Sequence, residues 1–173
     1  PADIANLQQL EELVMGDGGI TKIEHVSGLQ NLKKLTISYS KITKIEGLTD
    51  LPKLEYLRLH HNPIKKITGL AELVNLNKLL LNYTNISKIE GLDNLPHLEW
   101  VELKDTKITK VENLKQIPSL KYIELHDAPI YDYDLTEVEG VKATIKLSGT
   151  PYQTQLRKNN FTFYRQLLRA HKI

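Results

Sequence analysis

At 173 residues with 40% hydrophobic positions, the chain has room for one domain with a continuous core. Its formal net charge of +2, with 25% charged residues, lacks the basic excess of a dedicated nucleic-acid binder, so no nucleic acid is expected as partner. The absence of cysteine excludes disulfides, thiolate metal sites and cysteine nucleophiles, and no apolar run approaches the roughly 20 residues of a transmembrane helix. The opening PADIANLQQLEEL has no basic stretch followed by an apolar segment, so a signal peptide is either absent or removed upstream of this numbering.

From Leu7 onward the chain repeats itself with a period of 22 residues. Leu7, Leu29, Leu51, Leu73, Leu95 and Ile117 open six blocks that read approximately LxxLxxLxLxx(N/T/S)xIxxIxGLxx. A seventh, degenerate block keeps Ile145, Leu147 and Thr150 in register but lacks the flanking leucines, as terminal repeats do. The LxL pair of each block predicts a short strand, because alternate positions face opposite ways and only one set is aliphatic. Stacked blocks then predict a parallel sheet. Ser40, Asn62, Thr84 and Thr106 fall in the turn after the strand, where a short polar side chain can pair with backbone left free by the bend. The IxxIxGL half is expected to return along the convex side as turns or short 3₁₀ pieces. Gly28, Gly47, Gly69 and Gly91 are read as its permissive corner, with Asn113 at that register in the sixth block. Pro52, Pro96 and Pro118 fit the same convex side, where no sheet donor is lost. After residue 151 the period breaks, and Phe163, Tyr164, Leu167 and Leu168 acquire helical spacing behind Asn160. Residues 152–173 are therefore expected to be a helical cap over the end of a repeat domain spanning 1–151, although Arg157, Lys158, Arg165, Arg169 and Lys172 also suit a basic membrane-surface or partner-binding arm.

This pattern resembles the leucine-rich-repeat family, in the 22-residue class of bacterial internalins, and is also similar to the repeat-type regulatory subunit of protein phosphatase 1. The resemblance covers residues 7 to about 150. It implies an α/β solenoid with a curved parallel sheet on the concave face, turns and 3₁₀ pieces on the convex face, and recognition of a protein or other macromolecule as the usual role. Most blocks carry Thr, Ser or Ala where the family prefers Asn, a departure that suits an internalin-like branch. Neither a helical amino-terminal cap nor an immunoglobulin-like domain is visible, so the sequence is expected to be a piece of a longer protein. The implied setting is a monomer on a bacterial surface or secreted, with a cytoplasmic scaffold or regulator as the other reading.

The outward strand positions form ladders across the concave sheet. One reads Glu12, Lys34, Tyr56, Lys78, Trp100, Tyr122, Thr144, and the next Val14, Thr36, Arg58, Leu80, Glu102, Glu124, Lys146. The third runs Gly16, Ser38, His60, Asn82, Lys104, His126, Ser148, and the strand-exit row Asp17, Tyr39, His61, Tyr83, Asp105, Asp127, Gly149. Tyr, Trp and Arg are the types enriched at interface hot spots, which selects Tyr56, Arg58, His60, Trp100, Glu102, Lys104, Tyr122, Glu124 and His126 as the candidate partner-binding set. Cross-strand packing is the plainer explanation of such aromatics. Glu102 and Glu124 stand one repeat apart, about 4.8 Å on strand spacing, which admits paired-carboxylate hydrolysis or a weak cation site. Asp105 and Asp127 repeat that spacing, but an open sheet offers no cleft to tune carboxylates, and Lys104 is placed to neutralise one of them. His60 and His126 are three repeats apart, too far to share a metal, and adjacent His60 and His61 are expected to diverge. No nucleophile elbow, phosphate loop, zinc-protease or dinucleotide motif occurs. The chain is read as a binding module and not an enzyme, with no cofactor or metal expected.

Overall fold

The computed structural model describes residues 4–16, 18–131, 135–138 and 140–151. Seven strands succeed one another among them: β1 Glu12–Gly16, β2 Lys34–Ser38, β3 Tyr56–Arg58, β4 Lys78–Leu80, β5 Trp100–Glu102, β6 Tyr122–Glu124 and β7 Thr144–Lys146. They form one sheet in chain order, and every neighbouring pair is parallel. Residues 22 apart face each other throughout, from Leu13 with Leu35 to Ile123 with Ile145, so each pass of the sequence repeat is one coil of a solenoid. The strands are short, but the inter-coil hydrogen bonds continue past them: Leu81 N donates to Glu102 O at 2.8 Å and Tyr83 N to Lys104 O at 2.8 Å.

Inside the coils lies one continuous aliphatic cluster. Leu35, Leu57, Leu79, Val101, Ile123 and Ile145 are each 0% exposed, as are Ile42, Ile64, Ile86, Ile108 and Ile130 on the turning side. Each such side chain contributes about 1.5–3 kcal/mol on burial, and because every coil packs only on its neighbours the core has no centre. At the first coil the pattern weakens, with Leu13, Met15 and Ile20 only partly buried against the cluster.

Polar side chains in the post-strand turn are buried and paired. Asn62 Nδ2 donates to the carbonyls of Ile37 and Leu59 at 2.9 and 3.1 Å, while its Oδ1 accepts from Ile42 N at 3.1 Å. Thr84 and Thr106 each reach one carbonyl, Leu81 O and Leu103 O. A shorter hydroxyl thus satisfies the local carbonyl but does not bridge two coils as the asparagine does.

The convex corner corrects one assignment. Gly47, Gly69 and Gly91 have φ of 76, 69 and 68°, and Asn113 has 63°, but the first coil's residue at that register is His25 at 62°. Gly28 lies three residues later, in step with Asp50, whose φ is 56°. At Gly69 a Cβ would collide with the Ile45 carbonyl oxygen of the preceding coil, so this corner needs both the left-handed backbone and the missing side chain. Asn113 meets the requirement differently, its Nδ2 donating to Ile89 O at 2.7 Å before a 3₁₀ turn at Leu114–Gln116. A short helix, α1 Leu135–Val138, occupies the corresponding part of the last coil. The expected helical cap at 152–173 lies outside the described residues.

Candidate functional site

The sheet's pleat turns alternate side chains away from the core, and parallel register brings equivalent residues of successive coils side by side. On β5 and β6 this places Trp100 against Tyr122, with ring centroids 3.9 Å apart and planes 19° from parallel. Both rings are held by carboxylates two residues along their own strands. Trp100 Nε1 donates to Glu102 Oε1 at 2.8 Å, and the Tyr122 hydroxyl donates to Glu124 Oε2 at 3.4 Å. Burial, then Glu124 and Glu102, raise the Tyr122 pKa, so its hydroxyl keeps the proton that it donates. Glu102 Oε2 accepts from Asn82 Nδ2 at 2.7 Å, and Glu124 Oε1 lies 2.9 Å from His126 Nδ1. The two carboxylates expected side by side thus each spend their oxygens on fixing neighbours. His126 Nε2 is buried without a hydrogen-bond partner among the described residues. The same residues contain no group of three or more His, Asp or Glu able to hold a metal ion.

A second cluster occupies the amino-terminal coils. Arg58 Nε donates to His60 Nδ1 at 2.7 Å, and Ser38 Oγ is 2.8 Å from the same nitrogen. Because a guanidinium only donates, Nδ1 is the acceptor in this contact. Burial, then Arg58 and His61, lower the His60 pKa to about 4 against the opposing pull of Glu102. His60 is 8% exposed: it lies on the concave side, as the strand alternation predicts, but beneath Arg58 and among Ser38, Tyr39 and His61.

The exit row was the least expected part of this face. Tyr39, His61 and Tyr83 have φ of 53, 55 and 57°, and that left-handed step carries their rings into a stack with centroid spacings of 4.2 Å on either side of His61. His60 and His61 consequently do not diverge: their centroids are 5.2 Å apart, edge to face. Lys104 Nζ closes the far side, 5.9 Å from the Tyr83 centroid and 4.0 Å from Asp127 Oδ2. Tyr83 first, then Asp127 and Glu124, hold this ammonium above the ordinary lysine pKa.

Of the nine candidate residues, the structure gathers Trp100, Glu102, Tyr122, Glu124 and His126 into one network, and Arg58 with His60 into another. Lys104 lies beside the first through its backbone, whose N–H donates to Asn82 Oδ1 at 2.8 Å. Tyr56 stands apart from the aromatic pair, with Lys78 between them on β4 and its Nζ 5.5 Å from the Trp100 ring. Ser38 and Asn82 of the third outward row and Tyr39, His61 and Tyr83 of the exit row join the face, although the candidate set leaves them out.

Seven in-register coils, an aliphatic interior and an open polar sheet define a leucine-rich-repeat protein. The family model for leucine-rich repeats in two copies matches residues 30–72. Internalin C2 of Listeria monocytogenes is 35% identical, with 72% of this chain and 55% of that one covered and a TM-score of 0.65. The chain thus has the leucine-rich-repeat fold, and its repeats are similar to those of an internalin. Internalin InlF of the same organism is 22% identical over 85% of this chain and 50% of its own, with a TM-score of 0.61. A chain of the Drosophila melanogaster SNF/U2A′ complex shares the fold at 22% identity, covering 71% of this chain and 81% of that one, with a TM-score of 0.60. The chain thus spans about half the length of these internalins. No curated protein matches it by sequence. No helix among the described residues is long and apolar enough to cross a membrane.

Proposed function

We propose that the chain is a binding module whose concave face recognises a protein partner, in the setting of a bacterial surface or secreted internalin-like protein. The observation that carries this reading is the Trp100–Tyr122 stack, fixed by Glu102 and Glu124 on an open sheet. Rigid aromatics lose little conformational entropy when a partner covers them, which is why such residues dominate interface energetics. Arg58, backed by His60, and the Tyr39–His61–Tyr83 stack extend the face toward the amino-terminal coils. A hydrolytic role for Glu102 and Glu124 has no support in this geometry, because their oxygens are engaged by Trp100, Asn82, Tyr122 and His126.

The test is affinity for a partner recovered on the wild-type chain. Trp100→Ala and Tyr122→Ala should each weaken binding by about 2 kcal/mol or more, roughly 30-fold, with circular dichroism unchanged. Wild-type affinity in both folded variants would refute the assignment. An intracellular scaffold built on the same face would bind its partner equally well; a full-length sequence bearing a secretion signal or a wall anchor separates the two settings.

A further inference from the structure

Beyond the strand-exit turn each coil carries a second periodic feature. At one register stand Lys22, Lys44, Lys66, Lys88 and Lys110, each one period from the next. The residue before each lysine is Thr21, Thr43, Lys65, Ser87 or Thr109, so four of five coils offer a hydroxyl beside an ammonium. These pairs lie between two buried aliphatic rows, such as Ile42 and Ile45, on the outer side of the solenoid and away from the concave sheet. None of the five lysines has an ion-pair partner among the described residues, whereas Lys33, Lys34, Lys104 and Lys121 all do. Like charges stacked one coil apart repel, and no direct ion pair among the described residues relieves these five.

Two residues after each lysine runs an acidic row, Glu24, Glu46, Glu90 and Glu112, broken at Thr68 in the third coil. At that break the structure has an open groove of about 520 Å³ lined by Thr43, Lys44, Lys65, Lys66 and Thr68, three cations and two hydroxyls without a carboxylate. We propose that this outer lysine and hydroxyl ladder, centred on Lys44, Lys65 and Lys66, binds an acidic polysaccharide laid along the solenoid axis. Each coil advances about 4.8 Å along the sheet, so the ladder presents its cations at a regular step suited to a linear polymer with repeated charge. The flanking glutamates discriminate among polymers. They repel a polymer whose units carry anions alone, such as polyphosphate, but accept hydrogen bonds from the hydroxyls that each unit of an acidic polysaccharide carries beside its carboxylate. The ladder has no aromatic ring on which nucleobases could stack, and no apolar side chain that would enter a lipid surface.

The experiment measures binding of the full chain to polygalacturonate, neutral dextran and inorganic polyphosphate at low and high salt. Polygalacturonate should bind, weaken steeply as salt rises, and exceed both dextran and polyphosphate. The triple variant Lys44→Gln, Lys66→Gln, Lys88→Gln should lose at least tenfold in affinity, while a charge-matched control at Lys53, Lys115 and Lys142 keeps it. Trp100→Ala should leave it intact, which separates this site from the concave face. Absence of polygalacturonate binding at low salt, equal loss in the control triple, or tighter row-dependent binding of polyphosphate would each overturn the proposal.

Discussion

Leu80 and Leu81 are adjacent and chemically identical, yet Leu81 is 0% exposed inside the coil and Leu80 turns outward on β4. Leu81→Ala should destabilise by roughly 2–5 kcal/mol, because transfer energy and packing around the new cavity are both lost, and Leu80→Ala by under about 1 kcal/mol. Denaturant midpoints of the two variants check this, and equal losses would mean that the inward and outward rows are exchanged. His60 gives a pH signature. Its folded pKa is lowered to about 4, below the unfolded value, so the unfolded chain binds the extra proton first as pH falls. The contribution is fully present above about pH 6.5, the ordinary histidine value, and is lost as pH falls toward 4. The drop in melting temperature between pH 7 and pH 5 should therefore shrink in His60→Gln; an unchanged drop would show that burying this imidazole does not couple to folding. The burial of His60 is not legible from alternation alone, because Ser38 on one strand and Arg58 on its own strand both turn onto Nδ1.

Within each coil, the strand register and the aliphatic interior are legible because one period brings the same residue type to the same place seven times. The corner is legible only in part. Gly28–Leu29 resembles Gly47–Leu48 as a dipeptide, but the period aligns Leu29 with Leu51, so matching the local motif slips the frame by three residues and hides His25. The exit row is harder still, since the stacking of Tyr39, His61 and Tyr83 depends on a left-handed step that no side-chain pattern announces. Gly69→Ala tests the corner. A left-handed alanine costs of order 1–3 kcal/mol, and the Ile45 carbonyl must move to admit the methyl group. Hydrogen exchange should report faster opening of the two coils that meet there; wild-type stability and exchange would show that the corner tolerates a side chain.

Across the whole solenoid, coils stack with only nearest-neighbour contacts, so one open face runs from β1 to β7 and its chemistry changes along the way. Arg58 and the Tyr39–His61–Tyr83 stack occupy one half, and Glu102, Glu124, Asp105 and Asp127 with the Trp100–Tyr122 pair occupy the other. A partner seated over the middle coils therefore meets aromatic surface with Arg58 to one side and the carboxylates of β5 and β6 to the other, which fixes its orientation. Site-specific photo-cross-linking reports this directly: a benzophenone amino acid at Lys78, between Tyr56 and Trp100, compared with one at Lys88 on the outer ladder. Lys78-labelled chain should cross-link a protein that unlabelled wild type displaces and the folded Trp100→Ala variant does not, while the Lys88 label captures none. Capture of the same protein from Lys88 alone, or equal displacement by Trp100→Ala, would contradict recognition through the concave sheet.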